Sequence, residues 1–227
     1  MARGPRLSRL GRFWESDRGL SLLAAFLAIL VVGAPVVRLS ALGRLLINLG
    51  LSLLLVTGVA AVAQSGATRM VLGALALTTL GTRLAYTFDP GGQDILPAAL
   101  TALAFFALLA FVVAQRVFRD GEVNLHRILG AVSLYLMLGM IWSFAYESLV
   151  LLDPAAFAFT VPPATPGERT SDLIYFSFVT LTTVGYGDVT PVHPLARSLA
   201  MTEALTGQLF LTITLARLVA LEVGRSR

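Results

Sequence analysis

The chain contains neither cysteine nor lysine, and few charges of either sign. Without cysteine, thiol chemistry is excluded and the redox compartment is left unstated. All 17 basic residues are arginine. Only 13% of the chain is charged, about half the ~25% usual in soluble domains. What fills the 227 residues instead is apolar: 56% hydrophobic, with a mean hydropathy of +0.81. That balance points to a multispan membrane protein and leaves no room for a sizeable soluble domain. The net charge of +4 does not argue for nucleic acid, because the arginines lie beside apolar runs, where they set orientation.

A bilayer core takes ~20 apolar residues per helix. Six runs qualify, at residues 20–37, 45–63, 70–88, 95–118, 127–152 and 195–221. The organisation expected is a cytoplasmic basic tail at 1–18, a four-helix membrane domain at 19–119 and a second membrane unit at 120–227. Arg3, Arg6, Arg9, Arg12 and Arg18 precede the first run. Arg116, Arg119 and Arg127 lie at and after the end of the fourth, and Arg225 and Arg227 follow the sixth. All three clusters fall inside if both termini are cytoplasmic, whereas Arg38 and Arg44 then fall outside. The first run, behind an arginine-rich tail, is read as a retained helix rather than a signal peptide. Arg3, Arg6, Arg9 and Arg12 stand three apart with Leu7, Leu10, Phe13 and Trp14 between them. The tail is either an interfacial helix holding anionic lipid or a plain topogenic segment.

Between the fifth and sixth runs lies a polar loop, residues 153–194. Its first part, DPAAFAFTVPPATPGERTSD, has four prolines and reads as an exposed turret. SDLIYFSFVTLT then turns apolar and aromatic, but is too short to span. Ser171 or Asp172 is a candidate N-cap for it. It reads as a re-entrant helix whose return is TTVGYGD, residues 182–188. Non-helical backbone at membrane depth must be buried in protein or line a watery path. Gly185 and Gly187 accept positive φ. Alternated with Val184 and Tyr186, they let successive carbonyls point one way and offer a row of oxygens to a cation, with the Thr183 hydroxyl adding one more. The helix aims its partly negative carbonyl end at the space below.

This stretch resembles the selectivity filter of potassium channels, for which TVGYG is the established example. The order of outer helix, turret, re-entrant helix, filter and inner helix is similar over about residues 125–223. The resemblance is to a small six-span bacterial channel of the ion-transport-2, or two-transmembrane pore, type. It implies an all-α membrane fold, with a re-entrant pore helix and extended filter between helices five and six. One chain supplies one filter strand, so a homotetramer is implied, conducting K+ without covalent chemistry or an organic cofactor. K+ would be coordinated by Thr183, Val184, Gly185, Tyr186 and Gly187. Localisation in the cell membrane, multi-pass, follows.

Residues around the filter inherit expected roles. Asp188 at the outer mouth is expected to bond the Tyr175 hydroxyl, with Tyr175 standing where tryptophan is commoner and Val179 where some relatives have glutamate. Thr182, the first residue of the TTVGYGD match, is expected to support the filter. Glu147, by resemblance, bonds backbone amides between filter and inner helix; the alternative is a residue in water just beyond the span. Glu203 lies within the sixth run, where charge costs ~2.5–3.5 kcal/mol. It is read as protonated, or bonded to Ser177, Thr180 or Thr182 behind the filter. Gln208, Leu211, Leu215 and Val219 recur at helical spacing and either line the inner cavity or pack. Gly207 is either a hinge or a point of close helix packing.

The fourth run, ILPAALTALAFFALLAFVVAQRVF, has no arginine in its interior. Each charge moved through the field supplies ~2.3 kcal/mol per 100 mV, so no arginine-bearing voltage sensor is expected. Arg83 in the third run is expected to snorkel outward. His126 is either a pH sensor or a bystander. Few residues follow the sixth run, so no ligand-binding domain is expected there. The competing class is an accessory or non-conducting subunit, or a potassium-uptake component that needs a partner.

Overall fold

The computed structural model describes residues 18–33, 50, 66–88, 96–118 and 125–225. The second run and the tail arginines Arg3, Arg6, Arg9 and Arg12 lie outside these residues, as do Arg38, Arg44 and Arg119 (Gly50 excepted from the second run). In chain order come α1 (Arg18–Gly33), α2 (Gly66–Phe88), α3 (Leu96–Val117) and α4 (Leu125–Leu152). Strand β1 (Phe157–Phe159), helix α5 (Pro166–Leu181), strand β2 (Val189–Pro191) and helix α6 (Pro194–Arg225) follow.

Each of the first helices turns one stripe inward. Leu23, Leu27 and Leu30 do so on α1, and Leu72, Ala76 and Thr79 on α2, at the three- and four-residue steps of one helix face. On α3, Phe105, Phe106 and Leu109 are almost wholly buried. They meet Met137, Met140 and Phe144 of α4 in one core, where Phe106 stacks on Phe144 at 5.6 Å. Helix α4 is apolar nearly all round, as a helix at the centre of a bundle must be. It packs against α1, α3, α5 and α6.

Threonines within the helices return their hydroxyls to the preceding turn. Thr78, Thr79 and Thr101 each bond the carbonyl four residues back at 2.8 Å. Such a bond satisfies the hydroxyl within its own helix, whatever surrounds it. Among the described residues, three helices are long and apolar enough to cross a membrane: Leu96–Gln115, Arg127–Leu152 and Pro194–Arg217. Leu23–Gly33 and Met70–Thr82 are shorter apolar helices. Within the described chain, only 11% of the apolar window of α6 is buried, against 50% for α4.

Two local expectations are corrected. Helix α5 starts neither at Ser171 nor at Asp172 but at Pro166, with Thr165 as its N-cap. Thr165 Oγ1 accepts from the Glu168 N–H at 3.2 Å, and Glu168 reaches back to the Ala164 N–H at 3.0 Å. Thr-Pro-Gly-Glu follows the capping-box pattern with proline in the first turn, the Glu168 carboxylate reaching one residue before the cap. It precedes the apolar run, so a start placed by hydrophobicity falls too late. The turret, in turn, is not wholly exposed. Ala156 and Phe157 are buried, and β1 pairs antiparallel with β2, Phe157 opposite Pro191 and Phe159 opposite Val189. Phe157 closes an aromatic group with Tyr146 and Phe176, with centroids 5.4 Å from each. The proline-rich composition concealed this alternating strand.

Candidate ion-coordination site

Helix α5 ends on Thr182, whose backbone N–H bonds back to the Phe178 carbonyl. Its hydroxyl bonds the same carbonyl at 2.7 Å. Beyond it the backbone alternates in hand. Thr183 has φ 60, Gly185 φ 60 and Gly187 φ 81, while Val184 and Tyr186 between them keep negative φ. Among the described residues, Thr183 is the one non-glycine with positive φ, a conformation costing roughly 1–2 kcal/mol when a Cβ is present.

Two hydrogen bonds orient this strand. The N–H groups of Val184 and Gly185 both donate to the Val179 carbonyl, at 2.9 and 3.3 Å. In a trans peptide the N–H and C=O point opposite ways. The carbonyls of Thr183 and Val184 therefore face away from α5. They face the open side: all residues from Thr182 to Asp188 are exposed on the chain, and no atom lies within 4 Å of where a Cβ would stand on Gly185 or Gly187.

At the far end, the Tyr175 hydroxyl is hydrogen-bonded to the Asp188 side chain. Burial first, and then that bond, push the Tyr175 hydroxyl up to about 12, so it remains a donor through the neutral range. The Tyr175 and Tyr186 rings stack 6.5 Å apart, 5° from parallel. Asp188 Oδ1 accepts from the Val189 N–H at 3.2 Å, and its main-chain carbonyl accepts from Thr160 at 2.9 Å. The turret segment thus ties down the end of the stretch.

At the near end, α6 meets the base of the same stretch. Gln208 Nε2 donates to Thr183 Oγ1 at 3.3 Å. A Cβ on Gly207 would lie 2.1 Å from the Leu181 carbonyl oxygen, so only glycine lets α6 approach the end of α5 this closely. The same carbonyl accepts from Tyr135 at 3.3 Å. Leu211, Leu215 and Val219 are exposed further along α6.

Two acids sit behind α5. Glu147 on α4, 4% exposed, accepts from the Thr170 hydroxyl at 2.5 Å. This bond is made to the first turns of α5. Glu203, with no exposed surface, lies between α4 and α5, its Oε2 bonded to the Tyr146 hydroxyl and its Oε1 to Ser177. Of the partners expected for it, Ser177 is present. Tyr146 was missed, because nothing in the sequence spacing joins residues on separate helices.

Arg217 was also missed. It sits on α6, donates to the Phe118 carbonyl at 2.7 Å and lies 5.3 Å over that ring. It borders an apolar cleft of about 200 Å³ lined by Ile128, Tyr135, Phe210 and Leu211, into which no residue of the 182–188 stretch projects. Among the described residues no cluster of histidine, cysteine or carboxylate could hold a metal ion; the oxygens on offer in the 182–188 stretch are backbone carbonyls and a threonine hydroxyl.

Residues 131–222 match the family model described as ion channel. The chain is 38% identical over 81 residues to the two pore potassium channel c of Oryza sativa subsp. japonica, covering 32% of this chain and 18% of that protein. It is 36% identical over 80 residues to the inward rectifier potassium channel Kirbac3.1 of Paramagnetospirillum magnetotacticum, covering 35% and 24%. It is 38% identical over 84 residues to protein LctB of Geobacillus stearothermophilus, covering 35% and 62%. The chain therefore spans less than two-thirds of each of these relatives. No solved structure matches it. The segment that holds α4, α5, the 182–188 stretch and α6 thus matches the ion channel family model and is similar to parts of two proteins named as potassium channels.

Proposed function

We propose that the protein is a potassium-selective channel that conducts K+ passively across the cell membrane as a homotetramer. In this reading six helices span the bilayer with both termini cytoplasmic, α5 is a re-entrant pore helix, and residues 183–187 are the selectivity filter. One observation carries the reading: the alternation of backbone hand at Thr183, Gly185 and Gly187 on an open surface. Changing hand at every second residue brings successive carbonyls to one side. Four such strands around an axis replace the hydration shell of a potassium ion with stacked oxygen rings.

A single copy exposes its strand and encloses nothing. The mostly uncovered apolar surface of α6, including Met201, Leu205 and Leu209, supplies the contacts to neighbouring copies. Asp188, Tyr175 and Thr182 hold the strand from its own side, Glu147 and Glu203 hold α5 from behind, and Gln208, Leu211, Leu215 and Val219 line the inner cavity. The interior of α3 from Leu96 to Gln115 carries no charge, so the channel is not opened by a moving arginine array.

Purified protein in liposomes tests the function. Potassium flux well above sodium flux is expected. A folded tetramer that passes neither ion would overturn the reading in favour of an accessory subunit, and equal passage of both would overturn the selectivity.

A further inference from the structure

Ser177, in the middle of α5, has one hydroxyl proton and two oxygen neighbours. The Gly139 carbonyl of α4 is 2.7 Å away, and Glu203 Oε1 of α6 is also within hydrogen-bonding distance. A carbonyl can only accept, so the first contact uses the serine proton. The second contact then needs a proton from Glu203. The other carboxyl oxygen, Oε2, is occupied by the Tyr146 hydroxyl, which donates. With the acid protonated, all four groups are satisfied by one consistent chain: Tyr146 to Glu203, Glu203 to Ser177, Ser177 to Gly139. With the acid ionised, one of two short contacts has no hydrogen in it.

We infer that Glu203 works as an uncharged acid whose proton fastens α6 and α4 to the middle of α5, making it a positioning residue for the filter. The inference rests on the channel reading for its consequence, but not for the protonation. The three helices also meet at the Leu181 carbonyl, one turn further along α5; at the serine, Gly139 takes the Phe178 ring so closely that a Cβ there would lie 2.4 Å from it. Val179 and Leu181, whose carbonyls anchor the filter strand and the Gly207 contact, lie within one turn of Ser177. Loss of the proton would leave an unpaired charge with no exposed surface, and Ser177 would have to choose between Glu203 and Gly139. The titratable groups that face Glu203 are Tyr146 and Tyr135, both on α4; the pore helix contributes the neutral Ser177, and no arginine acts on it among the described residues.

The test uses the full-length protein in liposomes. Its infrared spectrum at neutral pH is expected to show a carboxylic-acid C=O band that E203Q lacks; absence of such a difference overturns the inference whether or not the protein conducts. Glutamine reproduces the neutral pattern, its amide donating to Ser177 and its oxygen accepting from Tyr146. E203Q is therefore expected to conduct at neutral pH, whereas E203A, which leaves Ser177 and Tyr146 without their partner, is expected to lose at least about tenfold of the flux, the factor that ~1.4 kcal/mol corresponds to. As pH rises, wild-type flux falls and E203Q flux does not. Equal pH profiles for the two proteins, or loss of flux in E203Q with the tetramer intact, would overturn the positioning role. Failure of every variant and the wild type to conduct, with the acid band present, would instead strike at the channel reading alone.

Discussion

At the scale of single residues, the candidate site is held by a few side chains whose roles differ. Tyr175 is the clearest case. Its hydroxyl reaches Asp188 and its ring lies flat against Tyr186, so it braces the outer end of the stretch in two ways. Tyr175→Phe keeps the ring and removes the hydroxyl. A hydrogen bond of this kind contributes about 0.5–1.5 kcal/mol, and the bond is near the surface. The proposed tetramer should therefore survive unchanged, while current decay during sustained opening should accelerate. Unchanged decay would show that Asp188 is held adequately by Val189 and Thr160.

Part of this was legible in the residues themselves. Two glycines at alternate positions announce positive φ at Gly185 and Gly187. Thr183 in the same conformation was not legible, because threonine rarely takes it, and the compensation comes from elsewhere in the fold. Its N–H is bound to Thr180, and its hydroxyl receives the Gln208 amide from another helix. The partners of Glu203 were half legible, since a carboxyl inside an apolar run demands donors without saying which helix supplies them.

At the scale of elements, the decisive arrangement is α5 gripped between α4 and α6. Glycine makes both contacts possible, Gly139 under the Phe178 ring and Gly207 under the Leu181 carbonyl. The second contact is backbone against backbone, with no flexible side chain to give way. Gly207→Ala is expected to overpack this junction, at about 1–3 kcal/mol, and to shift Thr183 with it. A lower thermal midpoint of the protein together with altered conduction is the expected outcome. A variant of unchanged stability whose opening alone is impaired would favour the hinge.

Helix boundaries were legible where hydrophobicity and length agree, as for α3 and α4, which lie within two residues of the runs that announced them. They were not legible where local chemistry overrides hydrophobicity. Thr165, Pro166 and Glu168 start α5 a turn and more before its apolar stretch. Phe157 and Phe159 form a strand only because Val189–Pro191, some thirty residues on by sequence number, offers an edge; pairing over that separation leaves no mark in a short run rich in proline and alanine.

At the scale of the whole molecule, the chain is an asymmetric object. Helices α1 to α4 bury an ordinary core, and α6 together with the 182–188 stretch is left largely open. The open surface is the one that further copies would close. In the proposed channel, permeation is separate from any response to voltage, because α3 packs its buried aromatic face against α4 and has no charge in its interior. Opening is therefore expected to change little with voltage. Steep voltage dependence in single-channel recordings would require charge movement outside α3 and would contradict that part of the reading.

The central claim is that the backbone oxygens from Thr183 to Gly187 select potassium. It is tested most directly by the reversal potential of the purified protein in a planar bilayer with potassium on one side and sodium on the other. Reversal close to the potassium equilibrium potential is the predicted result. Reversal near zero would contradict the account.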